Sequence, residues 1–198
     1  MEFRTFDIEG PALIDLKLLQ DERGFFARTF CTQEFEDAGL TPAVIQCNMS
    51  YNYKAGTIRG MHQQIDPAPE AKLVRCIRGR ILDVIVDMRP ESPTYLQHVK
   101  VELTADNRQA LYVPEYFAHG YLTLEDDCEV TYQVSHAYTP NTERGFRHDD
   151  PAFGIDWGRE VEVISDKDAA WPLFAERNDV EKPATLPAPR QAQLKEDA

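Results

Sequence analysis

The chain has 198 residues, 42% of them hydrophobic, which is enough to bury one core of ordinary size. Its 21 basic and 34 acidic residues leave a formal charge of -13, the opposite of the basic footprint of a nucleic-acid binder. No apolar run is long enough to span a bilayer, so a membrane partner is not expected either.

The charged opening "MEFRTFDIEG" lacks the apolar stretch of a signal peptide. Cys31, Cys47, Cys76 and Cys128 form no C-x-x-C pair. A reduced cytoplasmic protein is expected, with four unpaired thiols acting as small core residues.

In chain order, "LIDLKLL", the turn "DERG" and "FFARTF" predict a hairpin. "TQEFEDAGL" predicts one short helix, with Thr32 as its N-cap and Gly39 ending it. From "AVIQCNMSYN" onward the pattern is β: "IRGMHQQ", "KLVRCIRG", "RILDVIVDM", "LQHVKVEL", "ALYVP", "GYLTL" and "CEVTYQVSHAY" follow one another. "DVIVDM" is almost continuously apolar between aspartates, which suits a strand covered on both faces. "DPAFGIDWG" reads as a loop, and "EVEVIS" after it as β-like. Many short strands with regular turns predict an all-β sandwich or barrel. Residues 1–180 are read as one domain and 181–198, rich in Pro and Ala, as a mobile tail.

His62 and His119 lie in or beside strands and can both face an interior. Two chemistries suit them. A metal could be held by His62, His119 and Glu70, but two residues after His62 stands Gln64, a poor ligand for transition metals. Alternatively, a histidine acts as a base near neutral pH, with a carboxylate to fix its tautomer. Asp83, Asp87 and Asp168 are candidates for that carboxylate, and spacing does not choose among them. Lys72 offers a cation to a developing oxyanion. Tyr132 and Tyr138 share a face if "CEVTYQVSHAY" is one regular strand, as a proton donor and an aromatic wall or as plain β packing. Arg23, Arg59, Lys72, Arg75, Arg78, Arg144 and Lys167 recur at turns, where a few can converge on a phosphate. No Gly-rich phosphate loop is present, so neither a dinucleotide cofactor nor ATP is expected.

"DERGFF", "IRGMHQQ", "KLVRCIRGRILDVIVDMRPESPTY", "LYVPEYFAHGY", "TYQVSHAYTPNTERG", "DDPAFGIDW" and "SDKD", in this order, resemble the dTDP-4-dehydrorhamnose 3,5-epimerases. The resemblance implies a cupin-like jelly-roll barrel with a short N-terminal helix and small extra helical and loop segments. It also implies a homodimer that exchanges strands, no cofactor and no metal. The implied reaction is epimerisation at C3 and C5 of a nucleotide-linked 4-keto-6-deoxyhexose. The resemblance makes His62 the base, Tyr132 the acid, Asp168 the residue orienting His62, and Lys72 the group stabilising the enolate, with His119 nearby and Asp83 supporting it. Arg23, Gln46, Asn48, Arg59, Glu143 and Lys167 fall where the family holds nucleotide or sugar, and Tyr138 where an aromatic lines the pyrophosphate and sugar site. Arg28 departs from the pattern, standing where the family commonly carries an acidic residue against the nucleotide. A CDP- or GDP-linked sugar, or inversion at one carbon only, is therefore the alternative. A metal-dependent or non-catalytic sugar-binding cupin is the reading from a different class.

Overall fold

Runs of apolar and β-branched residues between turns form thirteen strands among residues 1–195, the residues that the computed structural model describes. The strands are β1 (Glu2–Thr5), β2 (Ala12–Asp15), β3 (Leu19–Asp21), β4 (Gly24–Phe26), β5 (Gln46–Asn52), β6 (Ile58–Gln64) and β7 (Lys72–Arg78). They continue as β8 (Arg80–Asp87), β9 (His98–Thr104), β10 (Ala110–Val113), β11 (Phe117–Thr123), β12 (Cys128–Val134) and β13 (Glu143–Gly145). Helix α1 (Thr32–Asp37) follows β4, and helix α2 (Asp166–Ala169) follows β13. No helix among the described residues is long and apolar enough to cross a membrane.

Two sheets face each other, in the orders β1-β2-β10-β7-β12-β5 and β13-β6-β11-β8-β9, and β3 with β4 forms a separate hairpin. This is an all-β, jelly-roll-like architecture whose sheets stay separate rather than closing into one barrel. Between them lies an apolar core that includes Val74, Ile85, Leu111, Phe117 and Val130. A second core, with Val84, Val86, Phe146, Phe153 and Phe174, covers the other face of the five-stranded sheet. "DVIVDM" therefore supplies both: Ile85 points inward, Val84 and Val86 outward.

Some elements differ from the sequence reading. "LIDLKLL" is broken into β2 and the start of β3, and "FFARTF" contributes only its first two residues to β4. The N-cap of α1 is Cys31, not Thr32, with no side-chain capping bond. Gly39 does lie just past the helix end, at φ 72°, and Leu40 N–H closes onto Phe35 C=O at 2.9 Å. "EVEVIS" makes one bridge, Val163 with Thr57, rather than a strand. All four cysteines are free, but only Cys76 and Cys128 are core residues, whereas Cys47 is exposed and Cys31 half-buried. Of the stretch read as a mobile tail, 196–198 lie outside the described residues. Before them, Ala192 N–H donates to His98 C=O at 2.7 Å and Asp7 N–H to Gln193 C=O at 2.9 Å, and Leu194 bridges Phe6.

Candidate active site

The strands that build the inter-sheet core change character along their length. On β7 the inward positions read Cys76, Val74, Lys72, and on β12 Cys128, Val130, Tyr132. Each strand thus runs from the apolar core to a polar end by simple two-residue alternation. At that end a cavity of about 460 Å³ opens between the sheets. Arg59, His62, Lys72, His119, Tyr132 and Asp168 line it, as do Ser50, Tyr121 and Ser165. A neighbouring space of about 200 Å³ is lined by Gln46, Asn48, Glu70, Tyr138 and Glu143, and again by His62, Lys72 and Tyr132. Those three shared residues stand where the two spaces meet.

Strict alternation puts Arg59 and His62 on opposite faces, because they are three residues apart. The ladder between β6 and β11 slips by one: His62 faces His119, whereas Arg59 faces Tyr121. Ile58 and Met61 consequently both point outward into the second core, and Arg59 and His62 both line the cavity. Gly60 permits this, with φ at 123° and no side chain. A Cβ there would stand 2.5 Å from Gly120 Cα and 2.6 Å from the His119 carbonyl.

The polar groups pair off. His62 Nε2 lies 2.6 Å from Asp168 Oδ1, and Gly60 N–H donates to Asp168 Oδ2 at 3.4 Å. Asp168 is placed by α2, which Ser165 caps by accepting from the Asp168 N–H at 3.1 Å. Burial alone would push the Asp168 carboxyl up. The hydrogen bond and charge of His62, with Gly60 N–H and Ser165, outweigh it and hold the carboxyl below its ordinary value. A His62 that donates Nε2–H to this carboxylate keeps Nδ1 as its basic nitrogen.

His119 Nε2 lies 2.6 Å from Oδ1 of the fully buried Asp83. Lys72 pairs with Glu70 at 3.0 Å, and Lys167 with Glu143 at 2.5 Å. Asp87, the third carboxylate considered for His62, is occupied by Arg89, Ser92 and Thr94. Among the described residues no three His, Cys, Asp or Glu side chains are placed to hold a metal ion. The set His62, His119 and Glu70 is split among three separate pairs, with Asp168, Asp83 and Lys72 respectively.

Burial raises the Tyr132 phenol above its ordinary value; the Arg59 charge opposes this and the Glu70 charge adds to it. Tyr132 therefore carries its proton at neutral pH. Arg59 Nε donates to Asn52 Oδ1 at 2.7 Å and its Nη2 to the Tyr51 carbonyl at 3.3 Å. Among the described residues it is the cation of this cavity that no carboxylate neutralises.

Tyr138 and Arg23 stand elsewhere than the sequence suggested, and Lys167 lines neither space, meeting the smaller one only through its pair with Glu143. The strand β12 ends at Val134, so Tyr138 is not on one regular strand with Tyr132; it sits on the following loop, 62% exposed, at the mouth of the smaller space. Gln64 holds that loop, accepting from Thr139 N–H at 2.7 Å and donating to the Ala137 carbonyl at 3.3 Å. Arg23 lines neither space. It lies at the hairpin turn with its side chain 83% exposed, ion-paired to Asp21. Arg28 pairs with Glu34 at 2.6 Å and also lines neither.

The sequence reading missed Ser50, Tyr121 and Ser165. Each had a signal: Ser50 continues the alternation of Gln46 and Asn48, Tyr121 follows His119 by two, and Ser165 opens an S-x-x-D capping pattern.

The arrangement has counterparts among known proteins. A family model described as dTDP-4-dehydrorhamnose 3,5-epimerase matches residues 5–176. A relative of that name from Methanothermobacter thermautotrophicus is 41% identical over 180 residues, covering 88% of this chain and 96% of its own. The crystal structure of the Elizabethkingia anophelis dTDP-4-dehydrorhamnose 3,5-epimerase superposes with a TM-score of 0.86 at 32% identity, covering 90% of this chain and 98% of that one. The Legionella pneumophila dTDP-6-deoxy-D-glucose-3,5-epimerase, solved in complex with dTDP-4-keto-L-rhamnose, superposes at 0.82 with 34% identity, covering 88% and 93%. An isomerase by this kinship, the chain belongs to the dTDP-4-dehydrorhamnose 3,5-epimerase family.

Proposed function

We propose that the protein converts dTDP-4-dehydro-6-deoxy-D-glucose to dTDP-4-dehydro-L-rhamnose by inverting C3 and C5 next to the 4-ketone. The observation that carries this is that His62, from the five-stranded sheet, and Tyr132, from the six-stranded sheet, line one cavity from opposite sides with Lys72 beside both. Inversion at carbon needs a base on one face of the sugar and an acid on the other. The ketone acidifies its neighbouring C–H bonds; His62, held by Asp168, takes a proton and the electrons pass to the C4 oxygen. Lys72 and His119 stabilise that enolate. Tyr132, which keeps its proton at neutral pH, returns it to the opposite face. Arg59, lacking a carboxylate partner, suits the diphosphate, and Gln46, Asn48, Tyr138 and Glu143, the last paired with Lys167, line the approach to the sugar. No step transfers electrons to a cofactor.

Proton NMR in deuterated water, with dTDP-, CDP- and GDP-linked 4-keto-6-deoxyglucose, tests the reading. The dTDP substrate is expected to take deuterium at both C3 and C5 and to yield the L-rhamno product. Exchange at one carbon, or turnover of only another nucleotide, replaces it with the narrower alternative; no exchange in any arm makes the protein a binder.

The same reading includes a homodimer. β5 is a sheet edge with Met49 65% exposed, and the β3–β4 hairpin stands off with Phe26 69% exposed, the kind of edge and apolar surface that soluble proteins cover. The hairpin then carries Arg23 to the partner's site, which accounts for its distance from its own. Light scattering is expected to give about twice the chain mass, and Arg23→Ala to raise KM while leaving that mass unchanged. A fully active monomer overturns this.

A further inference from the structure

Lys72 borders both spaces of the site, and its charge is met from within the chain. Glu70 Oε1 stands 3.0 Å from Lys72 Nζ, with side chains only 12% and 10% exposed. The backbone between them is clamped. Ala71 N–H donates to Ser135 Oγ at 2.7 Å, and Ser135 N–H donates to the Ala71 carbonyl at 2.9 Å. Residues 70 and 72 lie on either side of this doubly held residue, where an extended chain sends both side chains the same way. Glu70 borders only the smaller space, so it grips Lys72 from the side away from the larger cavity. The pattern repeats that of His62 with Asp168 and His119 with Asp83, in which a carboxylate backs a group facing the cavity.

We propose that Glu70 is a positioning residue that holds the Lys72 ammonium where the two spaces meet, ready for the enolate oxygen. This rests on the reaction proposed above. A lysine stem has four rotatable bonds, and an ammonium that must first be ordered contributes less at the moment charge develops. Glu70 touches no reacting atom; it acts through Lys72.

Glu70→Gln keeps the shape and an acceptor oxygen but removes the charge, and Glu70→Asp keeps the charge on a shorter stem. Glu70→Gln is expected to lower kcat on the order of tenfold to a hundredfold with KM nearly unchanged. Glu70→Asp should recover part of the loss. A second readout needs no turnover. In protein with 13C-labelled lysine, the two ε-methylene protons of Lys72, identified by their loss in Lys72→Met, are expected to give separate signals in the wild type and to merge in Glu70→Gln. A raised KM at unchanged kcat makes Glu70 a substrate contact and overturns the proposal. Wild-type kcat with unaltered Lys72 signals overturns it as well. If the wild type turns over no 4-keto sugar, the reaction is wrong, and the lysine signals still decide whether Glu70 holds Lys72. Should Glu70→Gln fail to fold by circular dichroism, Glu70→Ala carries the comparison: merged ε signals with lowered kcat support the proposal, and separate signals at wild-type kcat reject it.

Discussion

His62→Ala is expected to lose turnover and solvent-deuterium exchange together, because without a base no enolate forms. Tyr132→Phe should separate the two. It removes the phenolic hydroxyl but keeps the ring that packs against the inter-sheet core. His62 can still remove a proton from C5 and return a solvent-derived one to the same face, so exchange persists. Inversion should fall on the order of 10² to 10⁴ for a lost acid–base group. The comparison holds only between folded variants, which circular dichroism checks. Tyr132→Phe that inverts the sugar at the wild-type rate makes Tyr132 a packing residue. Exchange surviving in His62→Ala moves the base to another side chain of the cavity.

Asp168→Asn should come close to His62→Ala in its effect on kcat. The amide can present its N–H₂ to His62 Nε2 and so favour the wrong tautomer, with the proton on Nδ1. It also withdraws the charge that stabilises the imidazolium as His62 takes its proton. A loss on the order of 10² to 10⁴ in kcat is expected, with little change in KM, since Asp168 acts through His62. The variant has a stability signature too. The Asp168 carboxyl is depressed below 3.8 in the folded chain. Its contribution to stability is fully present above the unfolded value and is lost as pH falls through the folded one. Urea unfolding should therefore show Asp168→Asn less stable than wild type at neutral pH, with the gap closing in acid. A gap of equal size at both extremes assigns the loss to packing, and unchanged kcat rules out the orienting role.

Much of this was legible in one dimension. Runs rich in Val, Ile, Leu and Tyr between turn signals located β7 to β12 as strands. The uninterrupted "DVIVDM" announced a strand covered on both faces, as Ile85 on one side and Val84 and Val86 on the other bear out. The residues also allowed His62 and His119 to face an interior, and both line the cavity. The ordered motifs identified the family, which the comparisons show.

Other features were decided by the fold. Alternation separates Arg59 from His62; the slipped register beside Gly60 reunites them, and it exists because two glycine backbones meet across β6 and β11. By spacing, Asp83, Asp87 and Asp168 were equivalent as partners for His62, and only the resemblance singled out Asp168. The chain path gives Asp83 to His119, surrounds Asp87 with Arg89, Ser92 and Thr94, and brings Asp168 back across 106 residues. Glu70 looked like a ligand and became the partner of Lys72. Arg23 looked like a site residue and lies outside its own chain's cavity. The division has one physical cause. Which face a side chain takes follows from backbone geometry within a few residues, so the sequence carries it. Which charge meets which depends on how strands far apart in the chain pack, and that is settled only when the two sheets close on their shared core.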